Sequence, residues 1–107
     1  MGNRKRGRVS RFLPISLLPE AVGDLVRLRE FIQTHNPPAA NRAARRLQEA
    51  IRAIPVQPLL GHLVENINDT SLRDRFISFG RGGYWIRYQI TQNEILIIKI
   101  WHGREEQ

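Results

Sequence analysis

Four basic side chains in the second half of the chain are the groups best suited to chemistry on a phosphodiester. They are Arg81, Arg87, His102 and Arg104. Clustered guanidinium groups stabilise charge that develops on phosphoryl oxygens, and an imidazole can transfer a proton to or from a ribose 2′-hydroxyl. We expect these four side chains to converge if the sheet predicted below is concave at that edge. The alternative is that the arginines form surface ion pairs and that His102 hydrogen-bonds to the backbone.

The sequence gives no support to other catalytic or cofactor sites. The 107 residues include no cysteine, which excludes disulfides, thiolate zinc sites, iron–sulfur clusters and cysteine nucleophiles. The three histidines lack metal-ligand spacing, and no serine triad or pair of carboxylates is present. Gly80, Gly82 and Gly83 are interpreted as a hairpin turn rather than a phosphate-binding loop. We therefore predict neither a metal nor a small-molecule cofactor.

Two amphipathic helices are predicted before these basic residues. The first covers residues 19–34, where Pro19 suits the first helical position. Its predicted packed side consists of Val22, Leu25, Leu28, Phe31 and Ile32. Asn36 is suited to cap the second helix and Pro37 to begin it, and the strongest 3.6-residue pattern of the chain follows. The two helices are expected to form a hairpin.

Strands are predicted on both sides of the hairpin. Residues 12–16 favour a short edge strand, because Pro14 cannot donate a ladder hydrogen bond. From Arg73 the apolar period changes to two, which predicts three strands joined by hairpins. Residues 94–101 are almost wholly apolar, so we expect a central strand covered on both faces. The fold class is therefore α+β: an N-terminal strand, a two-helix hairpin, and a three-stranded antiparallel meander in one small sheet.

The net charge of +7 is concentrated at the start of the chain. Residues 1–11 hold five basic groups and no acid, whereas the rest holds 12 basic and 10 acidic groups. We predict a basic disordered tail over residues 1–11 and a single domain over residues 12–107. An alternative function is nucleic-acid binding through this tail. Apolar runs are far shorter than the roughly 20 residues of a membrane span, so we expect a cytoplasmic protein without a membrane partner.

Short motifs follow one another along residues 12–105. They are Pro19-Glu20-Ala21 with Asp24-Leu25, Asn36-Pro37 before an alanine-rich helix, Arg73 with Phe76 and Phe79, Gly83-Tyr84 with Ile86-Arg87-Tyr88, and Ile97-Ile98 leading to His102-Gly103-Arg104-Glu105. In this order they resemble the ParE/RelE toxin superfamily of type II toxin–antitoxin modules. The resemblance implies the strand, helical hairpin and antiparallel sheet predicted above.

The superfamily divides by mechanism. RelE-like members are similar to endoribonucleases that cut messenger RNA on the ribosome, with basic side chains on two sheet strands and an arginine after the last strand. At three of these positions this chain has Phe76, Ser78 and Trp85, and only Arg104 matches. The resemblance thus favours the ParE branch, whose members inhibit DNA gyrase by binding. In the ribonuclease alternative, the catalytic candidates are His102, Arg104, Arg87 and Arg81.

The ParE-like hypothesis also implies two sets of binding residues. We expect Arg87, His102 and Arg104 to contact the target. The antitoxin of such modules is typically an acidic segment that folds across the helical hairpin and sheet. The arginines of the second helix suit such a partner, and a solvated helix face is the alternative. They are Arg42, Arg45, Arg46 and Arg52.

Overall fold

The computed structural model describes residues 12–104, and it confirms the α+β class. Its elements are β1 (Ile15–Leu17), α1 (Pro19–His35), α2 (Pro37–Ala53), β2 (His62–Leu63), β3 (Leu72–Phe79), β4 (Gly82–Ile90) and β5 (Ile95–His102). Two 3-10 turns, Ile54–Val56 and Pro58–Leu60, lead from α2 to β2. The predicted tail, residues 1–11, lies outside the described residues. Within them, no helix is long and apolar enough to cross a membrane.

The five strands form one sheet in the order β1-β5-β4-β3-β2. β1 runs parallel to β5, and the other neighbours are antiparallel. The predicted edge position of the first strand is confirmed, whereas the two-residue β2 at the other edge was not predicted. β4 is the central strand, and the core lies on one face of the sheet, where the helices pack. β5 lies inside the sheet between β1 and β4, as expected of a central strand, but both described helices pack on the same face, so they cover β5 on one face and not on both.

The helices pack much as their apolar patterns predict, with one rotation of α1. In α1, Ala21, Asp24 and Leu28 are buried, whereas Val22 and Phe31, which were expected to pack, are exposed. The packed stripe keeps Leu25, Leu28 and Ile32 but takes in Ala21 and Asp24 in place of Val22 and Phe31, which is a small rotation about the helix axis. In α2 the predicted apolar face is buried, and the Asn36 side chain caps the helix by accepting from the Ala39 amide over 3.3 Å.

A bulge in β5 decides which side chains share a face at the end of the sheet. Ile86 pairs with Ile100, yet Tyr88 pairs with Ile97, so β5 has one residue more than β4 over this stretch. Beyond the bulge, His102 pairs with Tyr84, which belongs to the core under the helices. One extra residue reverses the facing of every side chain that follows it. His102 consequently points to the helix side of the sheet.

Candidate functional site

The face of the sheet opposite the helices, here called the outer face, carries a row of aromatic rings across three strands. Phe76 pairs with Trp85, and Trp85 pairs with Trp101. The ring centroids of Phe76 and Trp85 lie 5.0 Å apart, and those of the two tryptophans 6.3 Å apart at 18°. His62 of β2 adds an edge contact to Trp85 at 6.3 Å. Trp101 is buried, so the part of the row open to apolar and stacking contacts consists of Phe76, which is exposed, and Trp85, which is half-buried.

Arg87 lies on this outer face, and its charge is already paired. Its Nε and Nη2 donate to Oδ1 and Oδ2 of Asp74 over 2.8 and 2.9 Å, and its guanidinium carbon lies 5.4 Å from the Trp101 ring centroid. The hydrogen bonds that Arg87 donates to Asp74 raise the pKa of Arg87 above its ordinary value. Sequence reasoning missed Asp74, since its pairing opposite Arg87 depends on the register of β3 against β4. The pair leaves little uncompensated charge for an anionic ligand.

The other three basic candidates lie at the end of the sheet formed by the β3–β4 turn and the end of β5. Arg81 is exposed in the turn, and Arg104 is exposed two residues after His102. The His102 ring meets the Tyr84 ring edge-on at 5.4 Å, and its Nδ1 accepts from the Arg104 amide over 3.1 Å. The expected convergence of all four groups is not found, because Arg87 is on the opposite face from His102.

The chain segments at this end of the sheet are held close together by glycines. A Cβ on Gly83 would collide with the carbonyl oxygen of Ile77 and the ring of Phe76. The Gly103 amide donates to the Gly83 carbonyl over 2.8 Å, which fixes the segment after β5 to the hairpin. Gly80 has a φ of +61°, as the predicted turn requires.

The three positions at which the resemblance places ribonuclease charges all lie on the outer face. Phe76 and Ser78 are exposed on β3, and Trp85 is half-buried on β4. A phosphodiester at these three positions would meet aromatic rings and a hydroxyl instead of ammonium or guanidinium groups. Within residues 12–104, no group of His, Asp or Glu is arranged to hold a metal ion.

The four arginines proposed from the sequence to contact an antitoxin do not form one surface. Arg52 lines an apolar groove of about 560 Å³ between α1, α2 and β1. Arg42 and Arg46 are one turn apart on the other flank of α2, whereas Arg45, two turns before Arg52, lies on the same side of the helix as Arg52. The groove has a second cation, Arg29, at its α1 wall. Two separate basic flanks therefore border the helical hairpin.

Comparison with known proteins gives a consistent result. Residues 15–107 match the family model described as the ParE toxin of type II toxin–antitoxin system, parDE. Two curated toxins of Caulobacter vibrioides are similar: Toxin RelE3, 28% identical over 85% of this chain and 95% of its own length, and Toxin RelE1, 30% identical over 78% and 85%. A chain of the chromosomal ParDE TA system from P. aeruginosa has the same fold, with a TM-score of 0.67 at 16% identity, covering 87% of this chain and 98% of its own.

Proposed function

This chain belongs to the ParE toxin family of type II toxin–antitoxin systems, and we propose that it is a ParE-type inhibitor of DNA gyrase. It acts by binding rather than by cleaving a substrate, and a cognate antitoxin neutralises it. The ParDE system named for the structural neighbour supports the expectation of a protein partner.

The composition of the outer face is the observation that carries this proposal. Phe76, Ser78 and Trp85 replace the charges that a ribonuclease of the superfamily would present there, and Asp74 neutralises Arg87. Each donor that stabilises a developing oxyanion lowers the barrier by roughly 3 kcal/mol, so a site without three of them loses most of its electrostatic catalysis. An aromatic row with a paired arginine is instead typical of the centre of a protein–protein interface.

The geometry of His102 also favours a contact role. Because Nδ1 accepts the Arg104 amide, the neutral imidazole carries its proton on Nε2. In this tautomer the ring donates a hydrogen bond and has no second nitrogen ready to take a proton from a 2′-hydroxyl. We propose that His102, Arg104 and Arg87 contact the target, and that Arg42, Arg45, Arg46 and Arg52 contact the antitoxin.

The alternative is a RelE-type ribosome-dependent endoribonuclease acting on messenger RNA. The two curated relatives, which bear RelE names, favour it. Its catalytic groups would be His102, Arg104 and Arg81 at the end of the sheet, with Arg87 held on the other face.

A supercoiling assay with purified gyrase and the purified full-length chain tests the proposal. We expect inhibition that persists, though weakened, in His102→Ala, because this change removes one contact of several. Phe76→Ala should weaken inhibition, whereas Phe31→Ala should not. The two variants are matched because each removes an exposed phenylalanine ring. Phe76 is 39% exposed on the outer face and Phe31 is 62% exposed on α1.

A parallel translation reaction with ribosomes and messenger RNA tests the alternative. The ParE-type proposal expects intact transcripts. Transcript cleavage that is abolished by His102→Ala and by Arg104→Ala, together with unimpaired gyrase, would establish the ribonuclease instead.

A further inference from the structure

The connection between α2 and β3 is attached to the sheet by hydrogen bonds from two buried or half-buried side chains. The Tyr88 hydroxyl donates to the Pro58 carbonyl over 2.5 Å and accepts from the Gly61 amide over 3.0 Å. Arg73 Nη1 donates to the carbonyls of Leu59 and Gly61 over 3.1 and 3.0 Å. Residues 58–61 therefore have a fixed conformation, although little of their own apolar surface is buried.

Residues 56–63, which contain this fixed stretch, are here called the pinned loop. They present large apolar side chains to solvent. Val56, Leu59, Leu60 and Leu63 are all more than half exposed. Exposed apolar patches that are rigid in the free protein are typical of interaction sites. The part of the loop that also borders the pocket described below, at Val56 and Leu60, is therefore suited to contact a partner without a large ordering cost.

A small pocket opens beside the pinned loop. It has a volume of about 170 Å³ and is lined by Ala53, Ile54, Val56, Gln57, Leu60, Arg75 and Tyr88. An apolar cavity of roughly 150 Å³ accommodates a benzene-sized group, so one aliphatic or aromatic side chain of a partner would fit.

A basic side chain on the pocket wall indicates which charge the partner should place beside the side chain that fills the pocket. Arg75 is half-buried on the helix side of β3, opposite Ile86, and no acid of residues 12–104 pairs with it. A partly desolvated guanidinium without a counterion is stabilised by any carboxylate brought to it. The pocket thus fits a carboxylate beside an apolar side chain.

Further cations lead away from the pocket along one flank of α2. Arg46 and Arg42 lie two and three turns before Ala53, which lines the pocket, and all three share this flank. Arg46 is half-buried and forms no ion pair with the described acids. An acidic segment that follows this flank would meet both arginines before it reaches Arg75.

We propose that the pocket anchors an acidic segment of the antitoxin. An apolar side chain of that segment fills the pocket against Leu60 and Val56, a neighbouring carboxylate pairs with Arg75, and further acids pair with Arg46 and Arg42. The inference rests on the proposed function only for the identity of the partner as an antitoxin.

Titration calorimetry of the full-length chain with its cognate antitoxin tests this site. Leu60→Ser and Arg75→Gln should each weaken binding by about 10-fold or more, since the first removes an apolar wall of the pocket and the second removes the cation that pairs with the antitoxin carboxylate. Leu59→Ser is the matched control, because Leu59 is 67% exposed on the same loop but does not line the pocket. It should stay within about twofold of the wild type. Arg75→Lys should recover much of the affinity lost in Arg75→Gln, and raising the salt concentration should reduce the difference between them.

Unchanged affinity in folded Leu60→Ser and Arg75→Gln would overturn the inference, as would equal losses in Leu59→Ser and Leu60→Ser. If Arg75→Gln fails to fold, the comparison of Leu60→Ser with Leu59→Ser tests the inference, since both leucine side chains are mostly solvent-exposed. The gyrase assay separates the two proposals. If the antitoxin affinities change as expected but gyrase is not inhibited, only the gyrase proposal is refuted. If gyrase is inhibited but the variants bind the antitoxin as tightly as the wild type, only the antitoxin site is refuted.

Discussion

Arg87 of β4 and Asp74 of β3 form a bidentate ion pair, in which the guanidinium Nε and Nη2 donate to the two carboxylate oxygens over 2.8 and 2.9 Å. The side chains are only 23% and 16% exposed, so solvent screens the pair less than a surface salt bridge. The arginine of the outer face is consequently oriented by the protein and largely neutralised before any target binds.

Removing Asp74 should convert this face into a polyanion-binding surface. We expect Asp74→Ala to elute from heparin at higher salt than the wild type, because Arg87 loses its counterion. Asp69→Ala is the matched control: it removes the same charge, but the Asp69 carboxylate accepts from Ser71 and not from an arginine. Equal elution shifts for the two variants would contradict this account of Arg87.

Substitution of two glycines by alanine should change the stability of the fold in opposite directions. Gly83→Ala is expected to destabilise the chain severely, since its Cβ would collide with the Ile77 carbonyl and the Phe76 ring. Gly23→Ala meets no atom within 4 Å in α1, and it should stabilise the chain by about 0.5–1 kcal/mol because alanine favours the helix. Thermal unfolding measures both, and a destabilised Gly23→Ala would show that α1 packs differently.

Asp24 should matter more for stability than its place on a helix surface suggests. Its Oδ2 accepts from the Ile100 amide over 2.8 Å, at a stretch of β5 that β1 does not cover. Asp24→Ala leaves this buried amide without a partner, so we expect a loss of about 1–3 kcal/mol in urea unfolding. The control is Glu20→Ala, which removes an exposed salt bridge to Lys99 and the acid in the first turn of α1, and should cost less than about 1 kcal/mol. Similar losses in both variants would argue against the role of Asp24.

The stability of the fold should decrease in alkaline solution. Burial raises the pKa of both Tyr84 and Tyr88 above the ordinary value of 10.0. The folded state therefore holds these protons more tightly than the unfolded state, and the contribution is complete below pH 10.0 and is lost as the pH rises through the folded pKa. Urea unfolding at about pH 8 and about pH 11 measures the loss, with a limiting slope of about 1.4 kcal/mol per pH unit for each tyrosine.

Tyr88→Phe provides the comparison for this titration. It removes one of the two phenols, so the alkaline loss should become smaller. It also removes the hydrogen bonds to Pro58 and Gly61, so amide exchange in residues 58–61 should accelerate at neutral pH. If Tyr88→Phe loses as much stability between about pH 8 and about pH 11 as the wild type, the alkaline effect comes from groups other than Tyr88.

Local signals in the sequence predict both helices, the first strand and the last three strands in their order along the chain, but not the two-residue β2. Asn36 and Pro37 mark the start of α2, and the alternation of Tyr84, Ile86 and Tyr88 with Trp85 and Arg87 sets the two faces of β4. These are properties of neighbours along the chain, and the structure confirms them. The superfamily resemblance rested on the same local motifs.

Which of the basic residues meet depends on contacts between distant parts of the chain. Strict alternation from Ile95 would place His102 on the outer face with Arg87, but the bulge in β5 turns it to the helix side. The pairing of Asp74 with Arg87, of Asp24 with the Ile100 amide, and of Tyr88 with the pinned loop likewise joins residues far apart in the chain. Such contacts depend on strand register and on the rotation of a helix about its axis, and neither is encoded in the period of a hydrophobic pattern.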